Sequence, residues 1–127
     1  IAGGIALGAA VDYLNDVGMD HIAAYEHELL DYGTQQLKTI EGLKIFGDVL
    51  NKAAVISFNV TTLHPYDIGT IVDKLGIAVR TGHHCAQPVM ERYQVPGTVR
   101  ASFAFYNTKE EIDIMVQALQ RAVSMLS

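Results

Sequence analysis

Residues Ala54-Val-Ile-Ser-Phe-Asn-Val60 alternate along their whole length. Ala54, Ile56, Phe58 and Val60 fall on one side, and Val55, Ser57 and Asn59 on the other. A period of two sends successive side chains to opposite faces of a strand, so one face meets a core and the other, more polar face does not. Such a strand belongs to an antiparallel or mixed sheet with one covered face. The covering layer comes from the segments on either side, which carry helical rather than alternating periodicity.

Leu7, Val11 and Leu14 recur at helical spacing, with Gly18 as a stop. Asp20 is placed to cap a second helix whose apolar stripe is Ile22, Tyr25, Leu29, Leu37 and Ile40, with Gly42 ending it. Leu43–Phe46 alternates as a short strand. Pro65 suits the first turn of a helix with inner residues Ile68, Ile71, Val72 and Leu75, closed by Gly76. Ile77–Arg80 and Thr98–Ala104 read as strands. Residues 82–97 between them read as irregular, with a helical turn available over Pro88–Tyr93. Thr108 and Glu111 form a capping box. Ile112, Met115, Val116, Leu119, Ala122, Val123 and Leu126 follow as the apolar face of a final helix. The expected architecture is α/β: a two-layer sandwich of about four strands, mixed or antiparallel, with helices on one face.

The chain has 127 residues, 50% of them hydrophobic, which supports a single domain over residues 1–127 with its own core. A net charge of −5 argues against a nucleic-acid partner. No apolar run approaches the roughly 18 residues of a membrane span. The single cysteine allows no internal disulfide and favours a reducing cytoplasm. The sequence opens at Ile1 inside a helical pattern, the expectation for a piece of a longer protein.

That cysteine, Cys85, follows His83 and His84 in Arg80-Thr-Gly-His-His-Cys-Ala-Gln-Pro88, between Gly82 and Pro88, and so falls on a loop. A thiolate is the nucleophilic form of cysteine, and neighbouring positive charge favours it. His83, His84 and Arg80 are the candidate sources of that charge. The alternative is an inert packing cysteine, but bulky polar neighbours add little as packing. A zinc site on the same residues is disfavoured, because three consecutive residues do not wrap one ion and no second Cys or His pair follows. Arg100 lies in an otherwise small and apolar strand. It is either a mount for gripping a carboxylate through two parallel hydrogen bonds or one half of a surface ion pair. Arg80 has the same two readings. Two arginines leading into and out of one loop suggest an anionic substrate. His64, Tyr66, Tyr106, Asn107 and Thr108 read as cap, turn or packing residues.

The stretch Arg80–Pro88, together with Arg100-Ala-Ser-Phe-Ala-Phe-Tyr-Asn-Thr-Lys-Glu-Glu-Ile-Asp113, resembles the C-terminal part of the group II cysteine desulfurases, the pyridoxal-phosphate enzymes of the SUF iron–sulfur assembly system. The likeness extends to the Gly-Gly-Ile-Ala-Leu-Gly opening, the Tyr25-Glu26 helix and the Tyr66-Asp67 helix before Gly-Ile-Ala-Val-Arg80. It implies the small domain of an aminotransferase-type (class V) fold in a homodimeric enzyme. It implies further that L-cysteine is converted to L-alanine, with pyridoxal phosphate as electron sink and the sulfur left as a persulfide on Cys85. By the same resemblance Arg100 holds the substrate carboxylate, Arg80 belongs to the same pocket, and His83 and His84 precede the nucleophile and tune it. The cofactor lysine, the ring-stacking histidine and the aspartate at the pyridine nitrogen have no counterpart in this chain. The isolated piece is therefore expected to be inactive. Tyr66 stands where relatives that serve a SufU-like acceptor carry histidine, which points to a SufE-like acceptor. The alternatives are a selenocysteine lyase or cysteine sulfinate desulfinase on the same fold, and a stand-alone sulfur carrier or adaptor.

Overall fold

The computed structural model describes residues 1–61 and 63–127. Among them the chain runs α1 (Ala2–Val17), α2 (Met19–Leu37), β1 (Leu43–Phe46), β2 (Val55–Val60), α3 (Pro65–Lys74), β3 (Arg80–Gly82), α4 (Gln87–Tyr93), β4 (Thr98–Ser102) and α5 (Lys109–Leu126). The four strands form one sheet in the order β1-β2-β4-β3, every neighbouring pair antiparallel.

The alternation of β2 is realised as a difference in burial. Ile56, Phe58 and Val60 are buried while Val55, Ser57 and Asn59 are half-buried. On β4, Val99 and Ala101 point into the same core. Three amphipathic helices cover this face: α2 through Leu29, Leu30 and Leu37, α3 through Ile68 and Val72, and α5 through Ile112, Met115, Val116 and Leu119. Burying a side chain of Leu or Ile size contributes about 1.5–3 kcal/mol, so this shared core is the main source of stability. Phe58, Leu29 and Leu119 at its centre are fully buried.

Several local signals are realised as written. His64 caps α3, its Nδ1 accepting from the Tyr66 N–H at 3.3 Å. The capping box of α5 is closed on both sides, with the Glu111 N–H donating to Thr108 Oγ1 and the Thr108 N–H to Glu111 Oε2. Gly76, with φ 83°, follows the end of α3.

Four expectations are corrected. Asp20 is not a cap: α2 begins at Met19 behind Gly18 (φ 92°), and Asp20 lies in its first turn, where a carboxylate still favours the positive end of the helix. The third strand is Arg80–Gly82 rather than Ile77–Arg80. The Ile77 N–H is drawn back to the Val72 carbonyl at the end of α3, so pairing with β4 starts only at Arg80. Residues 87–93 form a full short helix, α4, with Pro88 in its first turn. The last strand ends at Ser102 rather than Ala104: the Phe103 N–H still bonds in register to the Ala54 carbonyl at 2.8 Å, but β2 starts only at Val55, so no paired strand residue lies opposite beyond Ser102. Helix α1 forms as expected but buries none of its residues; Leu7 and Val11 are exposed.

Candidate functional site

The face of the sheet away from α2, α3 and α5 carries the chemistry. Side chains alternate along β4, so Thr98, Arg100 and Ser102 point away from the core that takes Val99 and Ala101. Register places Arg100 directly between Ser57 of β2 and Arg80 of β3. Two like charges opposite each other on neighbouring strands are destabilising, so a pair kept this way needs an anion or another reason. No ion pair to either arginine exists among the described residues, and Arg100 Nε is buried without a hydrogen-bond partner. Arg100 sits on an inner strand, flanked on both sides, which together with the lack of a described ion pair speaks against the surface-ion-pair reading. A planar guanidinium on a rigid strand, with donors unspent, suits a carboxylate.

Strand β3 delivers the chain from Arg80 into the cysteine loop. Gly82 (φ 116°) ends it, and Gly97 lies against it so closely that a Cβ on Gly97 would meet the Gly82 carbonyl carbon and oxygen at 3.0 Å. The next residues form a tight turn in which the Ala86 N–H donates to the His83 carbonyl at 2.9 Å. Its central residues, His84 (φ 56°) and Cys85 (φ 58°), are both left-handed. Positive φ at both central positions is the signature of a type I′ turn, normally built from Asn-Gly. Holding two side-chain-bearing residues there costs about 1–2 kcal/mol each. The thiol at the turn is free and exposed.

His84 is what ties the turn to the sheet. Its Nε2 lies 3.1 Å from the Thr98 carbonyl oxygen and 2.9 Å from Thr98 Oγ1. A carbonyl only accepts, so Nε2 carries the proton and donates. Nδ1, the acceptor in that tautomer, is buried without a partner. Burial, more than any other effect, lowers the His84 pKa from 6.5. The bond to the Thr98 carbonyl opposes this, while the Arg100 and Arg80 guanidiniums and then His83 push it down further. At neutral pH His84 therefore offers a fixed hydrogen bond rather than a charge, and the positive charge near this loop comes from Arg80 and Arg100. His83 is exposed and lines an open cleft of about 380 Å³ with His64, Tyr66, Thr81 and Pro96.

Thr98, Asn59 and Gly97 were not singled out from the sequence. Thr98 is a buried polar side chain, 1% exposed, and Asn59 Nδ2 donates to the Gly97 carbonyl at 2.8 Å. The signal available for Thr98 and Asn59 was the polar parity they share with Arg100 and Ser57 on their strands, and Gly97 had none. Among the described residues no three of His, Cys, Asp and Glu converge as a metal site. Pyridoxal phosphate, implied by the resemblance, requires an amine for its aldehyde and a carboxylate for its ring nitrogen. On this face Lys44 directs its ammonium over the Phe46 ring, and no described hydrogen bond or ion pair brings a lysine or a carboxylate to Arg80 or Arg100. Among the described residues, the groups around Arg80 and Arg100 do not fit that cofactor.

Comparison with known proteins fits this geometry. The chain is 48% identical over 121 residues to a probable cysteine desulfurase of Halalkalibacterium halodurans, covering 95% of this chain and 30% of that one. It superposes with a TM-score of 0.90 and 39% identity on the apo cysteine desulfurase of Thermococcus onnurineus, covering 97% of this chain and 31% of the other. The S-sulfonic acid form of the Escherichia coli cysteine desulfurase CsdA gives the same TM-score at 34% identity, over 98% and 31% of the two chains. The chain thus spans about a third of the length of these relatives. Residues 1–115 match aminotransferase class V along nearly the whole chain, and the chain belongs to that family.

Proposed function

We propose that this chain, residues 1–127, is the small, sulfur-handling domain of a cysteine desulfurase. In the full-length protein L-cysteine is the substrate, L-alanine the product, and Cys85 the sulfur carrier. The observation that carries the reading is the placement of an exposed thiol on a turn tied to Thr98, two residues along β4 from an unpaired Arg100 that faces Arg80.

Each residue has a definite task in this reading. Arg100, with Arg80 beside it, holds the substrate carboxylate and fixes the distance from that carboxylate to the sulfur. The Cys85 thiolate attacks the substrate sulfur, forming an S–S bond as the C–S bond breaks. The released carbon takes a proton and leaves as alanine, and Cys85 retains the sulfur as a persulfide. Pyridoxal phosphate, seated outside this chain, would supply the electron sink for the breaking C–S bond. His84 holds the turn, and His83 lies at its exposed side. The persulfide then passes to an acceptor protein that brings its own thiol. Tyr66 is exposed at the start of α3 and lines the cleft with His83. On the resemblance that marks this position, this reading takes a SufE-like rather than a SufU-like acceptor and a role in SUF-type iron–sulfur assembly. The reading carries with it a homodimer in the reducing cytoplasm and no activity of this chain alone. No described helix is long and apolar enough to cross a membrane.

The rival readings are a selenocysteine lyase, a cysteine sulfinate desulfinase and a carrier without chemistry. The test is to give the full-length protein pyridoxal phosphate and L-cysteine, quantify alanine, and map persulfide on Cys85 by alkylation and mass spectrometry. Alanine with a persulfide on Cys85, lost in Cys85→Ala, is expected. Alanine that persists in Cys85→Ala moves the assignment to the lyase or desulfinase. No alanine at all moves it to the carrier.

A further inference from the structure

We propose that Thr98 is a positioning residue for the Cys85 thiol, acting through the tautomer and orientation of His84. The inference rests on the desulfurase reading of Cys85 and deepens it.

Thr98 is almost wholly buried, so its hydroxyl needs a partner inside the protein. The partner is His84 Nε2, which the Thr98 carbonyl also holds. The residue is thus a two-point receptor for one imidazole N–H. Its footing is rigid: the preceding Gly97 is fixed by Asn59 from β2 and pressed against the Gly82 backbone, with no room for a side chain. A continuous line of contact runs from β2 through Asn59 and Gly97 to Thr98, and from Thr98 through His84 to the residue that carries the thiol.

The turn at the end of this line has a need for it. His84 and Cys85 both occupy the left-handed region, which neither residue favours. Within the loop the turn is closed by the single bond from the Ala86 N–H to the His83 carbonyl. The His84 contacts to Thr98 are the described hydrogen bonds that tie its central residues to the sheet. Because Thr98 and Arg100 project from the same face of the same strand, the strand that would hold the substrate carboxylate also sets the position of the thiol. A displacement of about 1 Å is enough to cost a reaction of this kind heavily.

The experiment uses the full-length protein with Thr98→Val, Thr98→Ser and His84→Gln. Thr98→Val keeps shape and burial but removes one of the two acceptors. Losing a hydrogen bond of ordinary strength predicts a fall in kcat for alanine formation of about tenfold. KM for L-cysteine is expected to move less than about twofold, since Arg100 is untouched. Thr98→Ser restores the hydroxyl and should recover most of the loss. His84→Gln should lower kcat similarly, and adding Thr98→Val to it should lower it little further. Two readouts are independent of turnover: the nitrogen shifts of the His84 ring, which report the Nε2–H tautomer, and the pH profile of Cys85 alkylation by iodoacetamide. Both should change in Thr98→Val and return in Thr98→Ser. An unchanged kcat, tautomer and alkylation profile in Thr98→Val, or fully additive losses in the double variant, overturns the proposal. If the unsubstituted protein makes no alanine, the desulfurase reading falls, and the ring shifts and alkylation profile still decide whether Thr98 sets the thiol.

Discussion

Replacing Arg100 with glutamine should pull binding and stability in opposite directions. Arg100 faces Arg80 directly across β3 and β4, and neither has an acidic partner among the described residues. Cross-strand charge pairs are worth about 0.2–1 kcal/mol with the sign set by the charges, so removing one of two like charges should stabilise the sheet by a few tenths of a kcal/mol. The substitution also removes the buried Nε that has no partner, and keeps enough of the aliphatic stem to cover the strand. Substrate binding should suffer. A hydrogen bond to a charged group is worth about 1.5–3 kcal/mol, which corresponds to a rise in KM of about ten- to a hundredfold. The assays are alanine formation against L-cysteine concentration and the urea midpoint of the full-length protein. A KM within about twofold of the unsubstituted protein, or a stability loss above about 1 kcal/mol, would refute the reasoning, because Arg100 would then be serving the fold. Arg100→Lys should fall between the two, since it keeps the charge and loses the planar fork.

Two further outcomes are expected. The His84 pKa is lower folded than its unfolded value of about 6.5, so between the two values the unfolded state binds more protons. Stability from this residue is therefore complete above about pH 6.5 and declines as pH falls toward the depressed value. Urea midpoints from pH 7.5 to 5 should show this slope and lose part of it in His84→Gln; identical slopes would count against it. Gly69→Ala should destabilise despite the helix preference for alanine, because the new Cβ would lie 2.5 Å from Thr81 Cγ2 on β3. Overpacking of this kind costs about 1–3 kcal/mol against about 1 kcal/mol of propensity gained. Thr81→Ala in the same chain should relieve the loss, and a double-mutant cycle with no coupling would rule out the contact.

Much of the fold was legible because each signal was local. The alternation of residues 54–60, the Thr108–Glu111 box and the apolar stripe of α5 each depend on neighbours within a turn or two, and each appears in place. The extent of the third strand was not legible. Whether Ile77–Val79 joins the sheet depends on a bond from Ile77 back to Val72 and on the register with β4, neither of which alternation encodes. The capping role expected of Asp20 fails for a similar reason: Gly18 ends one helix and begins the next, so Asp20 falls inside α2. The fate of α1 was equally hidden, since its spacing predicts a helix but says nothing of what covers it.

By itself, then, the sequence determined the elements of this chain and the inventory of its loop: one cysteine, two histidines and an arginine on each side. The tertiary structure decided how those residues can act. Antiparallel register set Arg80 against Arg100, and strand parity sent Thr98 to the same face. The turn put His84 and Cys85 in a conformation that their own backbones resist, and burial beside two guanidiniums turned His84 from a source of charge into a fixed hydrogen-bond donor. These are consequences of contacts between residues far apart in the chain. Periodicity and motif report what a segment can form, and only packing reports what stands beside it.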